Sequence, residues 1–227
     1  MDQNNIIQNL SIDCVIYSFH EEKLKVLCVK HAEGMSTGEW GLPGGYVNGD
    51  EDIDAAAARI LGRHTSLDNV FLEQLRAFGE VNRHPQKRVI TISYFALVKY
   101  SDANIKAGPS VYQATWYPVD DYPELIFDHQ KILDFGNQWL QHLVRHEPIG
   151  FNLLPTEFTL LQLQSLYEAI LNTSFDKPNF RRKLLKMKLL IDTNKKQQNV
   201  SHRAANLYRF NEEIYNRLKE KGFSFDL

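Results

Sequence analysis

Residues 44–67 read GGYVNGDEDIDAAAARILGRHTSL. The paired glycines Gly44 and Gly45 permit a turn that bulkier residues resist. Ala55 to Ala58 are strong helix formers, so the stretch reads as a turn feeding a helix over Asp52–Thr65. Within that helix, positions 60, 63 and 64 are spaced i, i+3, i+4 and share one face. They hold Ile60, Arg63 and His64.

The stretch resembles a Nudix box. Its family pattern is a glycine, five residues, a glutamate, seven residues, then an arginine followed by glutamates on one helix face. Gly45, Glu51, Arg59 and Leu61 fall on the pattern, with Trp40, Leu42, Pro43 and Gly44 as its lead-in and Ser66 at the late glycine position. The resemblance implies that the shared face of the helix should carry three carboxylates for Mg²⁺, which would polarise a diphosphate and activate water. Here Ile60 offers no oxygen, Arg63 is itself a cation, and His64 is a poor partner for a hard ion. The expectation is a retained scaffold, with Glu51 and Arg59 pairing to tie loop to helix. It includes no catalytic residue, no metal, no cofactor and no hydrolase activity.

Outward from the box, apolar runs Ile12–Phe19 and Leu24–Val29 flank the polar turn His20–Lys23 and predict a β-hairpin. Strands are expected over Phe71–Phe78, Val89–Tyr100 and Ala114–Val119. A helix is expected over Phe127–Val144, with Ile132, Phe135, Trp139 and Leu143 as its apolar stripe. Pro148 and Gly150 punctuate the chain, giving expected domains of 1–147 and 151–227. The fold class expected is α+β: a Nudix-like α/β/α sandwich followed by a winged helix-turn-helix domain.

The second module has its own signals. Thr159-Leu-Leu-Gln162 is a capping-box pattern that opens a helix to about Leu171, with Leu160, Leu163, Tyr167 and Ile170 as its stripe. After the turn Asn172–Ser174, a second helix runs Lys177–Met187, with Pro178 tolerated in its first turn. Candidate strands Leu189–Thr193 and Ala205–Phe210 and a helix Glu212–Lys221 follow. Helix, turn, helix and a hairpin with a basic tip outline a winged helix.

Charge separates the modules. Residues 1–150 carry 13 Lys/Arg against 20 Asp/Glu, and residues 151–227 carry 13 against 8. An acidic front and a basic back suggest different partners. A hydrophobic fraction of 43% is that of a globular chain. No apolar run approaches the ~20 residues of a membrane span, and the start lacks the basic and apolar regions of a signal peptide. A cytoplasmic location is expected, with Cys14 and Cys28 as buried core thiols.

On a wheel at roughly 100° per residue, Phe180, Leu184 and Met187 lie within about 60° of one another and should pack against the first helix. The opposite face gathers Asn179, Arg182 and Lys186, flanked by Arg181 and Lys183. Arginine can read guanine and asparagine adenine in the major groove. Lys177, Lys183 and Lys186 suit phosphate contacts, and Lys195, Lys196, His202 and Arg203 on the wing tip suit the neighbouring backbone. The expected partner is a double-stranded DNA operator, bound by a homodimer over two half-sites.

With both modules in view, the chain resembles the bacterial Nudix-related transcriptional regulators, and most closely their arabinose-responsive members. FGEVNRHPQKRVITISYFALV (78–98) resembles the strand pair beside that family's ligand cleft, and PELIFDH (123–129) its FDH element. FTLLQLQSLYEAIL (158–171) and KPNFRRKLL (177–185) resemble its DNA-binding helices. The resemblance implies a repressor of sugar utilisation released by L-arabinose. The alternatives are an ADP-ribose-sensing regulator of NAD metabolism and an active Nudix pyrophosphatase. Arg83 and Arg88 are the candidate contacts for a diphosphate, and Trp40, Tyr46, Glu80, Asp128 and His129 those for a free sugar. The helix Phe127–Val144 leads into the domain boundary and is the expected relay.

Overall fold

The computed structural model describes residues 6–68, 70–100, 105–198 and 203–221. The chain divides into two compact units, Met1–Ser18 with Lys25–Asn137, and Phe19–Leu24 with Gln138–Leu227.

The first unit is built on a seven-stranded mixed sheet. Its strands are β1 (Ile6–His20), β2 (Lys23–His31), β3 (Trp40–Gly41), β4 (Gly44–Asn48), β5 (Glu73–Phe78), β6 (Ile90–Leu97) and β7 (Val111–Pro118). The path runs β3-β2-β1-β6-β5, with β4 paired to β1 and β7 to β2. The expected hairpin turn is tight, with Glu21 and Glu22 both at positive φ (52° and 58°); that backbone suits the twist of a two-residue hairpin loop. The Val/Ile/Tyr/Phe-rich β6 lies parallel to β1, from Leu10 opposite Ile90 to Tyr17 opposite Leu97. Helix α1 (Ile53–Thr65) covers the sheet with Ala56, Ala57, Ile60 and Leu61, each at most 2% exposed, beside Ile12, Cys14, Ile16 and Tyr94. Burying each of the larger aliphatic side chains contributes about 1.5–3 kcal/mol.

Two local readings are corrected. Gly44 and Gly45 begin strand β4 instead of making a turn, and neither has a positive φ. Gly44 is needed for close approach: a Cβ there would sit 2.1 Å from Asp13 Oδ1 and 3.0 Å from the Ile12 carbonyl. The second correction concerns α2, which spans His129–His146. It cannot include Phe127, whose φ is +53°. Its buried face is Ile132, Leu133, Gly136, Leu140 and Val144, rotated from the expected stripe, in which Phe135, Trp139 and Leu143 are only half-buried. Gly136 sets this rotation, because a Cβ there would lie 2.8 Å from the Tyr17 hydroxyl and 3.2 Å from Val15.

The second unit contains a 3₁₀ turn (Pro148–Leu153), α3 (Leu160–Leu171), α4 (Lys177–Lys186), β8 (Leu190–Lys196), β9 (Asn206–Phe210) and α5 (Glu212–Glu220). The capping box is present: the Gln162 amide donates to Thr159 Oγ1 at 3.1 Å, and the Thr159 amide to Gln162 Oε1 at 2.8 Å. β8 and β9 form the antiparallel wing, and Phe158 bridges to Tyr208 at its edge. Phe151 stacks on Phe210 with ring centroids 4.4 Å apart. Leu163, Leu166, Tyr167, Ile170, Phe180 and Leu184 fill the interior. Among the described residues, no helix is long and apolar enough to cross a membrane.

Candidate effector cavity and nucleic-acid interface

The first unit holds a cavity of about 210 Å³ between β1, the β2–β3 loop, the start of β4 and the segments 83–89 and 126–129. Its polar floor is a buried network. Arg83 donates from Nε to Asp128 Oδ2 at 2.9 Å and from Nη2 to Asp128 Oδ1 at 2.7 Å, then from Nη2 to Asp13 Oδ2 at 3.3 Å. All three side chains are at most 7% exposed. A bidentate guanidinium pair of this kind fixes geometry as well as charge.

His129 completes the floor. The Leu42 amide donates to its Nδ1 at 3.0 Å, and its Nε2 faces Asp13 Oδ1 at 3.4 Å. With Nδ1 accepting, the neutral ring carries its proton on Nε2, toward the carboxylate. Burial lowers the His129 pKa; the carboxylate of Asp13 opposes that shift. His31 also lines the cavity, and its Nε2 is buried without a hydrogen-bond partner. At the rim, the His84 and Phe127 rings lie 4.9 Å apart and Lys87 Nζ sits 4.3 Å from the Tyr46 ring centroid.

Of the seven effector residues expected from the sequence, Tyr46, Arg83 and His129 line this cavity. Asp128 stands behind it as the anchor of Arg83. Trp40 packs edge-on against Tyr117 at 5.2 Å. Glu80 is exposed and accepts from Lys131 Nζ at 2.7 Å, while Arg88 Nη1 donates to the Glu80 carbonyl at 2.9 Å. Sequence reasoning missed Asp13 and His31. The available signal was a lone carboxylate inside the apolar run from Ile12 to Phe19.

The box helix face does not fit a hard cation. Ile60 is 2% exposed and lies against Gly45. His64 is 7% exposed, with Nδ1 unpartnered and its ring edge-on to His31 at 6.3 Å. Burial pushes its pKa down to about 4, helped by His31 and Arg63. Glu51 is committed elsewhere, accepting from Arg59 Nε at 2.8 Å and from the Asn48 amide at 2.8 Å. Among the described residues, no group of three or more His, Cys, Asp or Glu is placed to hold a metal.

In the second unit, Asp176 caps α4 by accepting from the Asn179 amide at 3.0 Å. Gln164 and Glu168 brace the turn before it: Gln164 Nε2 donates to the Phe175 carbonyl at 3.1 Å, and the Phe175 amide to Glu168 Oε1 at 2.8 Å. Phe180 and Leu184 anchor the helix inward, with Phe180 against Tyr167 and Phe175. Lys177, Asn179, Arg181, Arg182, Lys183 and Lys186 are all exposed. Arg182 Nη2 donates to Asn179 Oδ1 at 2.5 Å, so these two present a joined donor surface. Lys195 and Lys196 end β8, with Lys195 paired to Glu157 at 2.7 Å, and Arg203 is exposed on the return. His202 lies outside the described residues.

A Nudix-type sheet domain whose box helix holds Ile60, Arg63 and His64 on one face, joined to a winged helix with a cationic α4, defines a class of protein. Residues 8–135 match the NUDIX domain and residues 150–210 the NrtR DNA-binding winged helix domain. NrtR of Shewanella oneidensis, solved in complex with a 27mer DNA, is 31% identical, with 88% of this chain and 93% of that one covered and a TM-score of 0.76. The NUDIX domain of the same protein, solved with ADP ribose, is 29% identical over 62% of this chain and 93% of that one, with a TM-score of 0.55. The ADPR responsive transcriptional repressor NtrR of Acinetobacter baylyi is 29% identical over 205 residues, 88% of this chain and 81% of its own length. The chain belongs to the NrtR family. The Acinetobacter baylyi relative is an ADPR responsive repressor and the Shewanella oneidensis NUDIX domain was solved with ADP ribose, which favours the ADP-ribose alternative over the expected L-arabinose.

Proposed function

We propose that the chain is a transcriptional repressor whose winged helix binds an operator and whose Nudix-type domain takes ADP-ribose as the effector that releases it. The observation carrying this reading is 31% identity over nearly the whole length of a chain solved on DNA, combined with an α4 that is apolar inward and cationic outward. In the proposed complex, Arg181, Arg182 and Asn179 reach base edges while Lys177, Lys183 and Lys186 meet phosphates. Lys195, Lys196 and Arg203 serve the wing. A homodimer presents two α4 helices to two half-sites. The sensor spans 1–147 and the reader 151–227, and α2 leads from one to the other as the relay.

ADP-ribose must bind one arrangement of the dimer better than the other to change operator occupancy. Such coupling is typically ~1–3 kcal/mol, or a 5- to 150-fold shift in affinity. The test is fluorescence anisotropy on a labelled operator, selected from random duplex by the full chain. ADP-ribose should raise the apparent Kd within that range; an unchanged Kd at saturating ADP-ribose overturns the effector assignment. Release of AMP from ADP-ribose by the purified chain with Mg²⁺ would instead favour the pyrophosphatase reading.

The cavity supports a second effector class. Its volume of about 210 Å³ lies below the ~300–1,000 Å³ of pockets for drug-sized ligands. Its one buried guanidinium is already engaged by two carboxylates. Such a site suits a neutral, hydroxyl-rich molecule better than a free diphosphate.

A further inference from the structure

α4 carries two neighbouring leucines with opposite fates: Leu184 is 2% exposed and Leu185 is 48% exposed. Phe180 and Leu184 are the buried residues of this helix. At about 100° per residue, Leu185 stands ~100° from Leu184 and ~140° from Phe180, but only ~40° from Arg181 and ~60° from Arg182. It therefore belongs to the outward, cationic face, where Arg181, Arg182 and Lys186 are all exposed. Helical side chains lean toward the helix N-terminus, so the isobutyl group of Leu185 covers the surface over the turn of Arg181 and Arg182. Arg182 leans the same way, onto Asn179 in the turn before it. Among the described residues of the second unit, the large hydrophobic side chains left exposed are Leu185 and Leu161, the latter on α3.

We propose that Leu185 is a specificity-determining residue that reads a thymine of the operator by packing on its C5-methyl group. The inference rests on the operator reading above and adds a base that reading leaves open. A leucine side chain has no donor or acceptor for a phosphate or a polar base edge. The major groove offers it one apolar group, the thymine methyl, which an unmodified cytosine lacks. A lone exposed leucine is common on protein surfaces. This one lies between two guanidiniums on the helix that such a domain lays in the groove. α4 is 10 residues long, or ~15 Å, against a groove ~12 Å wide, so its outward residues come within reach of base edges along most of its length. Arginine and asparagine take the polar edges of guanine and adenine, and Leu185 takes the methyl beside them.

The test is a thermodynamic cycle on the full chain, with the selected operator and copies in which single thymines are replaced by uracil, which removes only the methyl. For the wild type, one replacement in each half-site should weaken binding roughly three- to fivefold, the worth of one buried methyl-sized group. In Leu185→Ala that replacement should change affinity by less than about 1.5-fold, because the contact is already gone. The variant removes no charge, so its slope of log K against log salt should match the wild type. Leu185→Met, which keeps an apolar side chain, should keep the uracil effect, and so should Leu161→Ala. If Leu185→Ala fails to fold, Leu185→Met and the wild type still decide through the uracil scan. A wild type indifferent to every uracil, or an undiminished uracil effect in Leu185→Ala, overturns the assignment while leaving operator binding intact. Loss of self-association in Leu185→Ala, read by sedimentation, would give the leucine to a second copy of the chain and overturn it as well. Selection of no duplex by the wild type would sink the operator reading and this inference with it.

Discussion

Arg59 donates to both carboxylate oxygens of Glu51, from Nε to Oε2 at 2.8 Å and from Nη2 to Oε1 at 2.5 Å, and its Nη2 also reaches the Tyr46 carbonyl at 3.0 Å. One side chain thus fastens the β4 strand and the following loop to α1. This pair holds Glu51 below its ordinary pKa of 4.5: the hydrogen bonds from Arg59 lead, the Asn48 amide adds to them, and burial opposes. A carboxylate with a depressed folded pKa contributes stability that is full above its unfolded value and is lost as pH falls through the folded one. Glu51→Gln should therefore cost about 1–3 kcal/mol at pH 7, the usual penalty for stripping one partner from a largely buried polar pair. The gap to wild type should close as denaturant unfolding is repeated from pH 4.5 downward. A gap that stays constant to pH 3 would show that the charge is not what holds the loop.

His64 gives a second pH signature, in the same direction but a different window. Its pKa is about 4, against an ordinary 6.5, because burial disfavours the charged ring. Between those values the unfolded chain binds a proton that the folded chain refuses, so stability falls as pH drops from 6.5 towards 4. The expected slope from this group is at most about 1.4 kcal/mol per pH unit. His64→Leu, close in volume and unable to titrate, should flatten the difference in thermal midpoint across that range. Equal slopes in both proteins would place the low-pH sensitivity elsewhere.

Much of this was legible in the sequence, and what was not has a physical cause. Glu51 with Arg59, the Thr159 capping box and the two faces of α4 are local patterns, with partners three to eight residues apart. The cavity floor is different. Asp13 meets Arg83 across 70 residues and Arg83 meets Asp128 across 45, separations that no periodicity encodes. Arg83 read as a candidate contact for a diphosphate, and the fold identifies Asp13 and Asp128 as the two carboxylates that share it. The α2 stripe was misread for a related reason: Gly136, with no apolar side chain to signal burial, sits at the closest packing point.

Ser66 occupies the position where the box pattern has glycine, and it adopts φ 57°, ψ 23° while its amide closes α1 on the Gly62 carbonyl at 2.8 Å. A left-handed backbone costs a non-glycine residue about 1–2 kcal/mol, against the ~0.5–1 kcal/mol of extra chain entropy that a glycine must lose on folding. Ser66→Gly should therefore stabilise the chain by about 0.5–1 kcal/mol, read from the midpoint of urea unfolding at unchanged slope. A destabilised variant would mean that the weak contact from Ser66 Oγ to the Lys106 carbonyl, at 3.3 Å, matters more than the backbone.

In the proposed complex the exposed face of α4 would divide by role, and salt dependence would separate the roles. Arg182 Nη2 donates to Asn179 Oδ1 at 2.5 Å, so in the proposed complex the two side chains would meet the same base step. Arg182→Ala should weaken binding to the selected operator by ~1–3 kcal/mol and relax the base preference at one position, with little change in the salt slope. Lys186→Ala, on the same face but without a side-chain partner suited to base reading, should weaken specific and random duplex alike and lower the slope of log K against log salt by about 1. Lys195 must first leave Glu157 before it can meet a phosphate; an exposed pair of that kind is weak, so Lys195→Ala should cost less than Lys186→Ala. Anisotropy titrations at several salt concentrations, on the operator and on a scrambled duplex, check all three variants together. If Arg182→Ala lost affinity equally on both duplexes, the residue would be a phosphate contact, and base reading would have to be reassigned to Asn179 or Arg181.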